Sequence, residues 1–303
     1  MSATLSKTVS QQSARPTAAV ELAREGVLAA ALPGGGQPPV YAFAPLQAGA
    51  LTPGIDEPNL RSPEQVTAAI GAALADVSPR TRAVTVVLPD TSVRVFVLDF
   101  DMLPAKAAEV IPVLKFRLRK MVAFDVEHAG VSYQVLTETK SECRVLIAVL
   151  PGPILEEYEA AVRATGFEPG AVLPSSLAAL AAVETEEPVL ATCLSSGSLT
   201  TSITNGQDLL LYRTLDLPAE PGQRLAEVQR DIAVAAAYFE DKLARRPQRL
   251  YYAGAQGADE FAQWIKDPEL TVVELATRPT TGAATTLGKL SFAGIAGALA
   301  GAA

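Results

Sequence analysis

The sequence has little histidine and cysteine, two residues on which many enzyme mechanisms depend. Its 303 residues include one histidine, His128, and two cysteines, Cys143 and Cys193. A Ser/His or Cys/His mechanism would have to use His128, which lies beside an acidic residue in a predicted loop. The cysteines have no metal-ligand spacing, and their small number fits a reducing compartment. We predict a surface histidine and two buried, inert thiols on strands.

The chain also lacks an excess of basic residues. It has 25 Lys and Arg against 33 Asp and Glu, for a net charge of -8. Nucleic-acid-binding proteins normally present a basic face, so we expect no nucleic-acid partner. Only 19% of the residues are charged and 49% are hydrophobic, which predicts a globular chain with a large core.

Long hydrophobic runs are absent as well. The longest weakly apolar tract is the C-terminal LSFAGIAGALAGAA, which is shorter than the ~20 residues needed to cross a bilayer. Residues 1–16 are rich in Ser, Thr and Gln and lack the apolar centre of a secretory signal. We expect a cytoplasmic protein whose C-terminal tract forms an Ala/Gly helix docked onto the domain. Close packing of Gly294, Gly297 and Gly301, as in membrane helix dimers, is the alternative.

The sequence does contain an alternation of strand and helix patterns. Two apolar runs around Arg24-Glu25-Gly26 predict a hairpin, and Ser62 is a suitable N-cap for a helix with Pro63 at its first position. Residues 189–213 predict three short strands with an Asn-Gly hairpin turn, followed by a long helix over 222–244. The pattern predicts two α/β halves, each opening with an antiparallel hairpin, and a small unit inserted between them.

Within the inserted unit, the sequence predicts an amphipathic helix that Pro104 opens. Pro112 falls inside the pattern and should kink the helix or displace its start. A solvated face is the favoured interpretation of its basic side chains, although such clusters can also meet anionic lipid. These side chains are Lys115, Arg117, Arg119 and Lys120.

Six strings, taken together in their order and spacing, resemble the PilM family of cytoplasmic type IV pilus assembly proteins. They are VVLPDTSVRVFVLDF, the helix ending KMVAFD, VSYQVL, EEYEAAVRATGFEP, TNGQDLLLYRTLDL and DIAVAAAYFEDKL. The family is related to the cytoplasmic part of the GspL secretion protein. The resemblance covers roughly residues 18–302 and implies an α/β fold of the actin-like (ASKHA) type, with two lobes and an inserted 1C subdomain.

The resemblance also implies how the chain is divided. The expected parts are a disordered tail (1–17), subdomain 1A (18–91), inserted subdomain 1C (92–167), a return to 1A (168–187), a second, 2A-like lobe (188–280) and a C-terminal helix packed on 1A (281–303).

Actin-like ATPases hold phosphates with two hairpin loops, each opening with Asp-Xaa-Gly and small hydroxyl residues. In the first loop of this chain, Glu21 and Ala23 stand where the Asp and Gly should be. Arg24 and Glu25 replace the hydroxyl residues. A Glu25 carboxylate ~4 Å from a phosphate would be repelled by about 4 kcal/mol at an effective dielectric of ~20. The first loop is therefore degenerate.

The second loop departs from the pattern in the same way. Thr192 or Cys193 takes the place of the Asp, and the Gly is displaced to Gly197. Without that acidic group, no side chain is in place to orient Mg²⁺ or a hydrolytic water. Ser195 and Ser196 could still donate hydrogen bonds to a nucleotide, although Ser-rich turns are usually only turns.

Actin-like ATPases also have a Gly-Gly turn, the adenosine turn, that lies against the adenosine. At the matching position this chain has Gly254 and Gly257, which are not adjacent. We therefore expect no catalytic residue, no metal site and no cofactor, with binding of ATP and Mg²⁺ as the alternative.

The sequence leaves two functions open. The resemblance implies a non-catalytic adaptor, peripheral at the inner membrane, in the assembly platform of a type IV pilus or a type II secretion machine. It would bind the cytoplasmic N-terminal peptide of a PilN-like inner-membrane protein in a groove between 1A and 1C, alongside other platform components. The alternative is an actin-like ATP-binding or ATPase switch with atypical phosphate loops. The sequence does not identify the residues that line the groove.

Overall fold

The structure, a computed structural model, describes residues 15–206, 208–276, 290–300 and 302. Its elements, in chain order, are β1 (Ala18–Ala23), β2 (Gly26–Ala31), β3 (Val40–Pro45), α1 (Pro63–Val77), β4 (Ala83–Leu88), β5 (Arg94–Phe100), α2 (Ala107–Leu118), β6 (Gly130–Glu138), β7 (Cys143–Leu150), α3 (Gly152–Ala164), β8 (Glu168–Pro174), α4 (Ser175–Ala179), β9 (Val189–Leu194), β10 (Ser198–Asn205), β11 (Asp208–Asp216), α5 (Pro221–Leu243), β12 (Arg249–Gly254), α6 (Ala258–Ile265), β13 (Thr271–Glu274) and α7 (Ala293–Ala300).

The first sheet has the strand order β3-β2-β1-β4-β8. Its first three strands form an antiparallel meander, and β4 and β8 then continue the sheet in parallel with β1. Strands β1 and β2 are buried almost throughout because helices cover both faces of the sheet. Helices α1 and α3 lie on one face, and α4 and α7 lie on the other.

The second sheet repeats the same order, as β11-β10-β9-β12-β13. Three antiparallel strands are again followed by two parallel ones. Helices α5 and α6 cover its outer face. Its inner face contacts α4 and α7 through Ala179 and Ala293, so these two helices lie between the sheets. The predicted pair of α/β halves, each opening with a hairpin, is confirmed.

A third sheet, with the order β5-β7-β6, is inserted between β4 and β8. Helix α2 packs on one face of this small sheet, and Leu146 on the other face contacts Leu209 and Tyr212 of β11. The helix begins at Ala107, later than the predicted start at Pro104, and contains Pro112. Among the described strands, β6 and β8 are each paired on one side only, so both are sheet edges.

Two local features differ from the sequence pattern. Ser62 occupies the N-cap position of α1, but its side chain makes no capping hydrogen bond. Strand β8, with the sequence EPGAVLP, is not predicted because Pro169 and Pro174 lower its strand propensity. Proline cannot donate to a ladder and is tolerated at sheet edges, which is where β8 lies.

The Ala/Gly tract at the C-terminus forms α7, which packs closely on α4. A Cβ at Gly297 would lie 2.0 Å from the backbone oxygen of Ala178, so only glycine allows this approach. Among the described residues, no helix combines the length and apolar character needed to cross a membrane. Residues 1–14 of the predicted tail, and 281–289, 301 and 303 of the predicted C-terminal segment, lie outside the described residues. The Thr17 carbonyl accepts a hydrogen bond of 2.8 Å from the N–H of Leu32.

Candidate functional site

The β1–β2 turn and the β9–β10 turn face each other across a cleft of about 490 Å³ between the two sheets. The two sheets have the same strand order, so the equivalent turns lie at equivalent positions. Several residues of the two predicted phosphate loops line this cleft: Glu21, Ala23, Arg24, Glu25, Ser195 and Ser196. The predicted adenosine turn contributes Ala255 and Gln256, which lie between its two glycines.

Glu21 lies at the edge of the cleft but is buried and fully engaged. Its Oε1 accepts a hydrogen bond of 2.5 Å from Ser175 Oγ, and its Oε2 accepts one of 2.9 Å from the backbone N–H of Ile295. Its pKa is raised to about 7, chiefly by burial and to a smaller extent by the nearby Asp90 carboxylate, against the lowering effect of the two hydrogen bonds. Glu21 therefore links β1 to Ser175 and to the first turn of α7.

Asp90 is a second buried carboxylate at the cleft, and the sequence pattern does not single it out. Its Oδ1 accepts a hydrogen bond of 3.0 Å from the Ser176 N–H, and its Oδ2 accepts one of 2.5 Å from Ser176 Oγ. Tyr212 of the second sheet also donates to Oδ1, at 3.3 Å. Burial raises the pKa of Asp90 above its usual range. Asp90 thus links the two halves of the molecule.

In the second loop, the hydrogen-bonding groups of Ser195 are used within the turn. Ser195 Oγ accepts hydrogen bonds from the N–H groups of Gly197 and Ser198, at 3.3 and 3.0 Å. The Ser195 N–H donates to the Ser198 carbonyl at 2.9 Å. Arg224 of α5 then donates to the carbonyl oxygens of Ser195 and Ser196, at 2.6 and 2.8 Å. The N–H groups of Ser195, Gly197 and Ser198 therefore donate within the turn itself.

Arg24 extends from the first turn toward the second. A Cβ at Gly197 would lie 3.5 Å from Nη2 of Arg24, which shows how closely the guanidinium approaches the opposite loop. Glu25 is exposed at the tip of the same turn. The cleft therefore carries the cations Arg24 and Arg224 together with the carboxylates of Glu21, Glu25 and Asp90.

Thr192 and Cys193 do not line the cleft. Thr192 Oγ1 lies 3.4 Å from Thr201 Oγ1, and Thr201 donates a hydrogen bond of 2.5 Å to Asp231, which also pairs with Arg213. Burial raises the pKa of the Cys193 thiol to about 12, and Asp90 contributes in the same direction. Neither residue supplies the acidic group of an ATPase loop.

The two glycines of the predicted adenosine turn have structural roles. A Cβ at Gly254 would lie 1.9 Å from the phenol oxygen of Tyr252, which donates to Gln256 at 2.9 Å. Gly257 is the N-cap of α6, and its carbonyl accepts a hydrogen bond of 3.0 Å from the Phe261 N–H. The packing of Tyr252 and the start of α6 account for both glycines.

Among the described residues, no cluster of three or more His, Cys, Asp or Glu side chains could hold a metal ion. His128 is exposed, as predicted, and its Nδ1 lies 2.6 Å from Asp125 Oδ2. Cys143 is buried and Cys193 is half-buried, and both are free thiols on strands.

A second cavity, of about 290 Å³, lies between the first sheet and the small sheet. We call it the β6/β8 groove because these two edge strands form opposite walls. Its lining is mostly apolar, with Ser132 and Glu159 as its polar side chains. The residues that line it are Val93, Gly130, Val131, Ser132, Ala148, Leu150, Leu155, Glu159, Val172, Leu173 and Pro174.

The β6/β8 groove and the cleft share a short connecting segment. Pro174 lines the groove, and the next residue, Ser175, lines the cleft and holds Glu21. Ser176 follows and holds Asp90. The end of β8 therefore joins the groove directly to the buried carboxylates.

No protein-family model matches the sequence, and no curated protein matches it. Solved structures do match the fold. A Bacteroides thetaiotaomicron protein with an actin-like ATPase fold is 11% identical with a TM-score of 0.51, over 90% of this chain and 95% of that one. The chain thus has the two-lobed, actin-like α/β fold that was predicted, with an inserted subdomain.

Two further solved structures with the same fold come from a pilus biogenesis complex and a type II secretion system. A chain of the "PilM-PilN type IV pilus biogenesis complex" has a TM-score of 0.73 and 17% identity, over 96% of this chain and 99% of that one. The cytoplasmic domain of EpsL, an inner-membrane component of the Vibrio cholerae type II secretion system, has a TM-score of 0.51 and 14% identity, over 89% and 92%. At these identities, the likenesses establish a shared fold.

Proposed function

We propose that this chain is a non-catalytic adaptor that holds an extended segment of a partner protein in the β6/β8 groove. The observation that carries the proposal is an apolar groove bounded by two sheet edges. An edge strand presents unpaired backbone N–H and C=O groups, and an extended peptide can add to it as a further strand. Apolar pockets beside the strand then select the peptide's side chains.

The lining of the groove suits such a ligand. Leu155 and Leu173 supply apolar surface from α3 and β8, and Ser132 is an exposed position on β6. Glu159 is partly exposed and pairs with Arg163 at 2.7 Å, so the polar end of the groove is already neutralised. The groove therefore favours a peptide with apolar anchor residues.

The similar solved structures indicate which partner to test. The structure with a TM-score of 0.73 is described as a complex of PilM and PilN in type IV pilus biogenesis. We infer that the partner of this chain is the cytoplasmic N-terminal segment of a PilN-like inner-membrane protein. The chain would then be cytoplasmic and lie at the inner membrane through that partner, in a pilus or type II secretion platform with other platform components.

The cleft supports the non-catalytic part of the proposal. Nucleotide hydrolysis requires groups that hold Mg²⁺ and orient water at the phosphates. Here Glu21 holds Ser175 and α7, and the N–H groups around Ser195 are used within their own turn. Each of these bonds would have to break before a nucleotide could use the same groups.

The test is calorimetric titration with a synthetic N-terminal peptide of a PilN-like protein. Ser132→Trp fills the groove from an exposed strand position, so we expect at least about tenfold weaker binding. Ser141→Trp is the matched control, because Ser141 is exposed in the β6–β7 turn and does not line the groove. Equal affinity of the two variants, or no binding to the wild type, would refute the proposal.

A further inference from the structure

Helix α2 covers the small sheet with one face and exposes the other to solvent. Its buried stripe consists of Val110, Leu114 and Leu118, spaced four residues apart. On the opposite side the helix exposes apolar side chains as well: Phe116 is 70% exposed and Val113 is 38% exposed. Val113 and Phe116 are three positions apart and therefore neighbours on the helix surface, and contiguous exposed apolar side chains are a feature of interaction surfaces.

The basic residues of α2 and the following turn fall into two groups. Lys115 donates to the carbonyl of Glu127 at 2.6 Å, and Arg119 pairs with the Glu127 carboxylate. Arg117 and Lys120 have no ion-pair partner among the residues that the structure describes. Lys120 lies four positions after Phe116, and Arg117 lies four positions after Val113, so each cation is next to an exposed apolar side chain.

The charge of this segment is opposite to that of the whole protein. Residues 102–121 include five basic residues and one acidic residue, whereas the chain as a whole has 25 basic and 33 acidic residues. Met121, 39% exposed, ends the segment next to Lys120. The helix therefore presents a local positive surface with apolar side chains on an acidic protein.

We infer that this exposed surface, formed by Val113, Phe116, Arg117, Lys120 and Met121, binds the surface of an anionic lipid bilayer. Cations on an amphipathic helix are attracted to anionic headgroups, and neighbouring apolar side chains enter the boundary between headgroups and acyl chains. Phe116 is the most exposed of these apolar side chains, so it can enter a fluid layer. With two unpaired cations, the binding is reversible and weakens as salt is added.

This surface and the β6/β8 groove lie on opposite faces of the small sheet. Val145, Ile147 and Val149 of β7 face α2, whereas the alternate residues Ala148 and Leu150 line the groove. Successive side chains of a strand point to opposite faces. A bilayer at α2 and a peptide in the groove can therefore be bound at the same time, and the inference does not depend on the proposed function.

The test is vesicle flotation of the full chain at low and high salt. Vesicles of phosphatidylcholine alone are compared with vesicles that contain roughly one third phosphatidylglycerol. We expect the wild type to float with the anionic vesicles at low salt only. Phe116→Ser and the double variant Arg117→Ala/Lys120→Ala should each reduce the bound fraction at least about fivefold.

Two variants serve as controls. Val234→Ser removes an apolar side chain that is 49% exposed on α5, and it should float as the wild type does. Ser132→Trp blocks the groove and should also leave flotation unchanged, which separates this inference from the peptide-binding proposal. Failure of the wild type to bind anionic vesicles at low salt would overturn the inference and leave an acidic protein surface as the partner of α2. Equal effects of Phe116→Ser and Val234→Ser would overturn it as well.

Discussion

The carboxylate of Glu21 accepts a hydrogen bond of 2.9 Å from the backbone N–H of Ile295, although the two residues are 274 positions apart in the sequence. Glu21 is a buried residue of β1, and Ile295 lies in the first turn of α7. The first N–H groups of a helix have no partner within the helix, and a carboxylate satisfies one of them and interacts favourably with the helix dipole. Glu21, which the sequence predicts to stand at the position of an ATPase aspartate, thus contacts the C-terminal helix.

The stability of the protein should depend on pH through Glu21. Its pKa rises from 4.5 to about 7 on folding, so the folded state binds this proton more tightly than the unfolded state. This contribution to stability is fully present below about pH 4.5 and is lost as the pH rises through about 7. Glu21→Gln cannot titrate and retains hydrogen-bonding groups. From pH 5 to 8, we expect the wild type to lose about 2–3 kcal/mol relative to Glu21→Gln.

Urea denaturation of both proteins at the two pH values measures this difference. The other carboxylates titrate in both proteins and cancel in the comparison. A difference between wild type and variant that stays constant from pH 5 to 8 would contradict the role of Glu21.

Gly297→Ala should destabilise the packing of α7 on α4. The new Cβ would lie 2.0 Å from the Ala178 backbone oxygen, which cannot move aside as a flexible side chain can. We expect a loss of about 1–3 kcal/mol in the free energy of unfolding. Gly71→Ala in α1 is the matched control, because its Cβ would make an ordinary contact of 3.6 Å with Thr165. For Gly71→Ala we expect the free energy of unfolding to increase by about 0.5–1 kcal/mol. Equal effects of the two variants in thermal denaturation would argue against close packing of α7 on α4.

Arg213→Ala should lower the free energy of unfolding because it leaves the buried Asp231 carboxylate without its cationic partner. The Asp231 side chain is 1% exposed and would retain the hydrogen bond from Thr201, whereas Arg213 is 36% exposed, which moderates the effect. We expect a loss of about 2 kcal/mol. In the control Arg230→Ala, the partner Glu227 is solvated and the change should stay within about 0.5 kcal/mol. Chemical denaturation of both variants measures the two losses of stability. A loss for Arg213→Ala no larger than that for Arg230→Ala would refute the prediction.

Mg-ATP should not stabilise the protein. A ligand that binds only the native state raises the melting temperature, by an amount that corresponds to about 2.7 kcal/mol at ~100 times its Kd. Because the Ser195 turn is closed by its own hydrogen bonds and by Arg224, we expect no thermal shift at about 1 mM Mg-ATP. The PilN-like peptide serves as the positive control in the same assay. A shift at micromolar ATP would instead favour the ATP-binding switch.

Much of the fold could be predicted because its signals are local. The three strands of the second sheet's meander follow from apolar runs and the Asn205-Gly206 turn, and Gly206 does adopt a positive φ of 59°. Strand β8 could not be predicted, because its prolines are acceptable only at a sheet edge. The predicted phosphate loops do meet at one cleft, but Asp90, Ser175 and Ser176 carry no local signal of their place in it.

The sequence by itself determined the alternation of strands and helices and the paired hairpins, and it carries the prediction of degenerate phosphate loops. These depend on periodicity, turn chemistry and residue identity within short segments. Only the tertiary structure decided what the substituted residues do. The side chain of Glu21 could have faced a ligand or a helix end. It contacts a helix end because α7 packs against β1. The walls of the β6/β8 groove come from two separate sheets, so their apposition exists only in the folded chain.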